Sequence, residues 1–153
     1  VRVAGPKGVR DVPMEKFHVL PEVDVRRETV LEPREIVTEI RIPPPAAGTR
    51  SSYRKVRARR SWDFALAGVA LALRFDGRRV VDGRVVLSGA APVPWRSAEA
   101  EQAIRGKELT AEVIAAAAKA VVAGAEPLEK NAYKIPLFQG VIEEELTRMS
   151  VSA

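Results

Sequence analysis

Residues 53–75, YRKVRARRSWDFALAGVALALRF, set an alternating cationic segment directly ahead of an almost wholly apolar one. Read as a strand, the first part projects Tyr53, Lys55, Arg57 and Arg59 from one face and Arg54, Val56, Ala58 and Arg60 from the other. The second part, Phe64 to Phe75, is bounded by Asp63 and Asp76 and is too short to cross a membrane as a helix. It is fit for burial in the fold. Its period does not separate a core strand from a buried helix. The residues after it favour the strand. Asp76-Gly77-Arg78-Arg79 is a hairpin signal, and Val80 to Ala90, VVDGRVVLSGA, supplies a valine-rich partner. A bulge or irregularity is expected at Asp82-Gly83. Gly68 with Ala65, Ala67, Ala70 and Ala72 makes the central strand thin, so a helix or a neighbouring domain can approach closely.

Ahead of this stretch, Glu35 to Ile42, EIVTEIRI, alternates as another strand, with Ile36, Thr38, Ile40 and Ile42 on one face. The prolines at 43–45 end it, because proline cannot donate to a sheet ladder. Residues 1–32 carry turn signals at Gly5-Pro6 and Gly8, and prolines 13 and 21 bracket Phe17, Val19 and Leu20. They predict one or two short extended pieces with no core of their own. After Pro92 and Pro94 the period becomes helical. Ser97 is placed to cap a short helix with Ala100, Ala103 and Ile104 inward, stopped by Gly106. Thr110 is placed to cap a longer helix to about Ala123, with Val113, Ile114, Ala117 and Val121 at helical spacing and Gly124 at its end. Asn131 is placed to cap a last helix bearing a stripe of Phe138, Val141, Ile142, Leu146 and Met149, with Pro136 disturbing its first turn. Strands first and helices afterwards predict an α+β two-layer sandwich: an antiparallel sheet of three to four strands with about three helices packed on one face.

With 153 residues the chain makes one ordinary domain, or one with an appendage. It contains no cysteine, which excludes disulfides, thiolate metal sites and cysteine-ligated iron–sulfur clusters and fits a reducing, cytoplasmic setting. His18 is the single histidine; it builds no multi-histidine metal site and reads as a packing or surface residue. No metal site is expected. No signal peptide or membrane span is visible, and the lack of an initiator methionine suggests a fragment or a processed product. No nucleophile–base pair, G-x-G-x-x-G or Walker sequence occurs, so no catalytic residue is assigned. Glu143-Glu144-Glu145 reads as the solvated side of the last helix, with Glu145 near its edge. Trp62 and Trp95 read as packing residues. The remaining candidates are Lys55, Arg57 and Arg59 beside Tyr53. With a net charge of +5, this face suits an anionic group such as a phosphate, or it is simply a solvated basic face.

Several stretches follow one another along the chain. They are Pro33-x-Glu35-Ile36-Val37-x-Glu39-Ile40-x-Ile42-Pro43, then Lys55-x-Arg57-x-Arg59 with Trp62-Asp63-Phe64-Ala65, then Asp76-Gly77. Gly89-x-Ala91-Pro92-x-Pro94, Ala98-x-x-Glu101, Gly106-Lys107 and Asn131-Ala132-Tyr133-Lys134 complete the series. In this order they resemble the C-terminal domain of the FAD subunit of molybdenum hydroxylases. That family includes the medium subunit of aerobic carbon monoxide dehydrogenase and the flavin domain of xanthine dehydrogenase. Gly5-Pro6-x-Gly8-x-Arg10, a proline and Phe17 resemble the closing segment of the family's FAD-binding domain. The resemblance implies that residues 1–32 are the tail end of that domain and 33–153 the C-terminal domain that closes over the cofactor. It implies electron transfer from a molybdenum cofactor through 2Fe–2S clusters to FAD. Lys55 and Val37 match the family's FAD-contacting lysine and aliphatic residue. The implied partners are the N-terminal FAD-binding domain of the same subunit, a molybdenum-cofactor subunit and a 2Fe–2S subunit. The glycine-rich FAD loops do not occur in this chain, so alone it is expected neither to hold FAD nor to catalyse. The rival reading is a small basic α+β nucleic-acid-binding domain using the Tyr53–Arg60 strand, which lacks the aromatic pair that stacks bases. A purely structural interaction domain is the third.

Overall fold

The computed structural model describes residues 1–59 and 62–151, in two units that divide between Pro45 and Ala46. In the first, β1 (Arg2–Gly5) and β2 (Gly8–Asp11) form a hairpin, and β3 (Ile36–Glu39) lies antiparallel on the other side of β1. The turn signals at Gly5-Pro6 and Gly8 thus mark a hairpin; Gly8 has φ +107°, a conformation glycine adopts freely. Val3 and Val12 are buried, so this segment has a small core, contrary to expectation. The strand expected over 35–42 shrinks to four residues because β1 is only four residues long. Ile36 faces solvent at 65% exposure, and half-buried Val37 pairs with Val3. This strand, expected to open the second domain after residue 32, lies in the first unit, and the units divide between Pro45 and Ala46.

Charge pairing supplements that small core. Gly5 gives Glu35 its place: a Cβ there would stand 2.8 Å from Glu35 Cγ. Glu35 accepts hydrogen bonds from Arg10 Nε at 2.9 Å, Arg10 Nη2 at 2.7 Å and the Glu32 N–H at 2.7 Å. The Arg10 guanidinium and then the Glu32 amide hold its carboxyl down to about 2.

In the second unit β4 (Thr49–Val56), β5 (Ala67–Asp76), β6 (Arg79–Ser88) and β7 (Trp95–Arg96) form an antiparallel sheet in that order. The apolar run is a strand. Val69, Leu71 and Leu73 of β5 and Val85 and Leu87 of β6 turn to the core, while Gly68, Ala70 and Ala72 take the other face. Pairing starts at Ala67, and Phe64, expected inside, is 93% exposed. The register shifts between Arg74 and Phe75, opposite Val80–Asp82, one residue from the irregularity expected at Asp82-Gly83. Gly83 leaves room for Leu73, whose Cδ2 would be 2.6 Å from a Cβ there.

Three helices cover the core face. α1 (Ala98–Ile104) packs on β6, α3 (Lys134–Val151) on β5 and β4, and α2 (Ala111–Ala120) between the other two. Ser97 and Thr110 cap the first two by accepting from the N–H groups of Ala100 and Val113. α2 ends at Ala120, three residues early, and turns lead on to Gly124 at φ +74°. Asn131 does not cap α3. Its Oδ1 accepts from Leu128 N–H at 2.7 Å and closes the preceding turn. Pro136 is the third residue of α3, where an N–H would have no intrahelical partner, so it is tolerated. The stripe from Phe138 to Met149 is buried as predicted, and so is Glu145, 4% exposed and paired with Arg148 at 3.0 Å. Glu145 lies four residues after Val141, which puts it on the packed side of the helix rather than the solvated one.

The hairpin turn at Gly77 has φ +55° with open space around a notional Cβ, so its strain on substitution is purely backbone. Gly77→Val is expected to destabilise the second unit by about 1–2 kcal/mol, and Gly77→Asn by less; equal melting temperatures for parent and valine variant would contradict the hairpin. Glu35 titrates below its ordinary value of 4.5, so its contribution to the first unit is complete above pH 4.5 and lost as pH falls toward about 2. NMR-followed urea unfolding of the β1 and β2 amides is expected to show that loss, with a shallower decline in Glu35→Gln. Parallel pH profiles would contradict it.

Candidate functional site

The face of the second sheet away from the helices carries the candidate lysine. Antiparallel register aligns Lys55, Gly68 and Ser88 in one row across β4, β5 and β6. Tyr53, Ala70 and Val86 form the next row, and Ser51, Ala72 and Arg84 the third. The centre of this open face is therefore flat, with a cation and a phenol at its β4 side. Lys55 is exposed and has no hydrogen bond or ion pair among the described residues, and Tyr53 is 62% exposed. Gly68 has no room for a side chain: a Cβ would lie 2.2 Å from Ser88 Oγ. The Ser88 hydroxyl is buried and has no hydrogen-bond partner among the described residues.

The other face of β4 grips α3. Arg54 Nη2 lies 3.4 Å from Glu144, and Arg50 stacks 3.6 Å above the Phe75 ring while donating to the Met149 carbonyl at 3.1 Å. That carbonyl lies in the last turn of α3, where no intrahelical donor exists.

Of the expected cationic face, only Tyr53 and Lys55 lie on the strand. Pairing stops at Val56 opposite Ala67, and the Leu66 N–H donates back to the Val56 carbonyl at 2.8 Å. This closes a loop that carries Arg57 and Arg59 off the sheet, and Arg59 meets Asp63 at 3.5 Å. Arg60 lies outside the described residues. Trp62, expected to pack, is 98% exposed on this loop. Trp95 does pack in part. It lines a cleft of about 190 Å³ with Leu87, Val121 and Phe138, and Lys134 Nζ donates to the Gly89 carbonyl beside it at 2.7 Å. That volume is below the roughly 300 Å³ of a small-molecule site, so FAD does not fit there.

Val37 is in the first unit and Lys55 in the second. Val37 is half-buried and paired with Val3, so it offers only part of its aliphatic surface. His18 packs edge-on to Phe17, ring centroids 5.3 Å apart. Among the described residues no three His, Asp or Glu side chains converge to hold a metal, and no helix is long and apolar enough to cross a membrane.

Sequence reading missed Glu101, 4% exposed, which ties α1 to the sheet. Its carboxylate accepts from Val85 N–H at 3.1 Å and from Arg96 Nε and Nη2 at 2.8 and 2.7 Å. Burial pushes its carboxyl up, but the Arg96 and Val85 hydrogen bonds together leave it below the usual range. It also missed the Gly68–Ser88 pair, which depends on a bulge.

These features define an α+β domain of two layers, with helices on one sheet face and a cationic, small-residue surface on the other. The profile of the CO dehydrogenase flavoprotein C-terminal domain matches residues 51–144, and the chain belongs to that family. It is 37% identical over 125 residues to the carbon monoxide dehydrogenase medium chain of Hydrogenophaga pseudoflava, covering 82% of this chain and 42% of that one. It is 32% identical over 155 residues to the aldehyde oxidoreductase FAD-binding subunit PaoB of Escherichia coli (strain K12), covering 100% and 45%. The chain thus spans less than half the length of these relatives. The solved carbon monoxide dehydrogenase from Hydrogenophaga pseudoflava superposes with a TM-score of 0.82 at 35% identity, over 94% of this chain and 49% of that one.

Proposed function

We propose that the chain is the C-terminal part of the FAD-binding subunit of a molybdenum-dependent oxidoreductase. It helps to close the FAD site and to dock partner subunits. One observation carries the reading: in a domain of this family, Lys55 stands exposed and, among the described residues, unpaired on a flat sheet face beside Gly68. That cation suits a phosphate or ribose oxygen of FAD. Val37 contributes an aliphatic contact. Bound FAD supplies redox chemistry; the part of this chain is to bind, orient and exclude water. Residues 1–32 are, on this reading, the tail end of the FAD-binding domain, which is a partner within the same subunit. A molybdenum-cofactor subunit and a 2Fe–2S subunit are the proposed further partners in electron transfer, and the cytoplasm is the proposed setting. Similarity to a carbon monoxide dehydrogenase medium chain and to an aldehyde oxidoreductase FAD-binding subunit supports this.

The nucleic-acid reading gains nothing from these relatives. Tyr53 pairs with Ala70 and Val86 lies next in that row, so among the described residues no second aromatic shares the row for base stacking.

In the intact subunit, Lys55→Ala is expected to weaken FAD binding by about 1–3 kcal/mol, the scale of a lost charge-assisted hydrogen bond. A flavin-fluorescence titration checks this, and an unchanged dissociation constant removes Lys55 from the site. The 153-residue chain by itself is expected to fold but stay colourless. One lysine and one aliphatic contact do not offset the lost translational and rotational freedom, at least about 4 kcal/mol. Calorimetry showing micromolar or tighter FAD binding would mean that the chain holds a complete site.

A further inference from the structure

We infer that Ser88 is a second FAD contact on the Lys55 row, its hydroxyl donating to the same phosphate or ribose oxygen region that Lys55 faces. The inference rests on the reading of this sheet face as the one that meets FAD. Three observations carry it further than Lys55 alone. The first is register: Lys55, Gly68 and Ser88 share one row, so Lys55 and Ser88 stand two strand spacings apart, about 10 Å between Cα atoms. A lysine side chain spans most of that gap, which brings its ammonium and the serine hydroxyl within reach of one ligand group.

The second is the state of the hydroxyl. Ser88 Oγ is buried and unpartnered among the described residues. A buried hydroxyl without a partner costs stability, and alanine would avoid that cost. The Ser88 residue as a whole is only half-buried, and χ1 has three staggered positions. Another staggered χ1 position takes the hydroxyl off its place over Gly68.

The third is the glycine between them. A Cβ on Gly68 would meet Ser88 Oγ at 2.2 Å but Ser88 Cβ at 3.5 Å and the Arg54 carbonyl oxygen at 3.4 Å. The conflict is therefore with the hydroxyl and not with the backbone or the rest of the side chain. Gly68 keeps the space over the row for Ser88 Oγ, and the seat works as a unit.

The test uses the intact FAD-binding subunit, prepared without and with FAD, and reads the FAD dissociation constant by flavin fluorescence and the melting temperature of the FAD-free form. Ser88→Ala is expected to weaken FAD about three- to tenfold, one hydrogen bond's worth, with the FAD-free melting temperature unchanged or higher. Gly68→Ala is expected to lower that melting temperature. The double variant Gly68→Ala with Ser88→Ala is expected to recover it while still binding FAD weakly. Parental affinity in Ser88→Ala together with weakened binding in Lys55→Ala overturns the role of Ser88 and leaves the function of the face intact. Parental affinity in both overturns the reading of the face and this inference with it. A fall of FAD-free stability in Ser88→Ala, in step with its affinity, makes the hydroxyl structural and overturns the inference.

Discussion

The alternation along β5 is what the second unit depends on. Val69, Leu71 and Leu73 point to the helices, and burying each is worth about 1.5–3 kcal/mol relative to exposure. Their neighbours Gly68, Ala70 and Ala72 point the other way and contribute little burial energy. Stability is thus concentrated on one face of the sheet, and the other is free to stay flat. The helices are placed by that asymmetry. Ile104 of α1 and Ile142 and Leu146 of α3 are almost wholly buried against the same cluster, and caps at Ser97 and Thr110 fix where two of the helices start.

Polar contacts locate the elements more than they stabilise them. Exposed ion pairs such as Arg59 with Asp63 contribute about 0–1 kcal/mol. The buried Glu101 carboxylate is different, because removing it would orphan the Val85 N–H inside the structure. It fixes α1 at the β6–β7 end of the sheet. Arg50 does the same at the far side, stacked on Phe75 with its guanidinium on the last turn of α3. The first unit has only Val3 and Val12 as buried apolar residues, and its arginine–carboxylate pairs carry a correspondingly larger share.

The fold class was legible because its signals are strong and local: the Asp76-Gly77 turn, the valine-rich partner segment after it, the serine and threonine caps and the α3 stripe. What escaped depends on single-residue register or on chain reach. A two-residue turn at Gly77-Arg78 alone would set Gly68 opposite Leu87; the extra residue Val81, unpaired between Val80 and Asp82, moves it to Ser88 and swaps the face. No sequence period reports that shift by itself. The cationic face was overextended because alternation continues through Arg57 and Arg59 while pairing stops at Val56. Trp62 looked like a packing residue by type, yet it sits on the loop that Leu66 closes back on Val56. Glu145 was placed only near the edge of the solvated side and Glu101 was given no burial at all; their arginine partners, Arg148 and Arg96, make burial acceptable. Lys55 was singled out by residue type and family pattern; what the structure adds is its neighbours Gly68 and Ser88.

The most direct test is the crystal structure of the intact, FAD-loaded subunit, read at one distance: Lys55 Nζ to the nearest FAD oxygen. The account predicts a separation in the hydrogen-bond range, roughly 2.7–3.2 Å, with the cofactor over the Lys55–Gly68–Ser88 row. A well-ordered FAD bound elsewhere, with the Lys55 ammonium in solvent or against another protein surface, would contradict it.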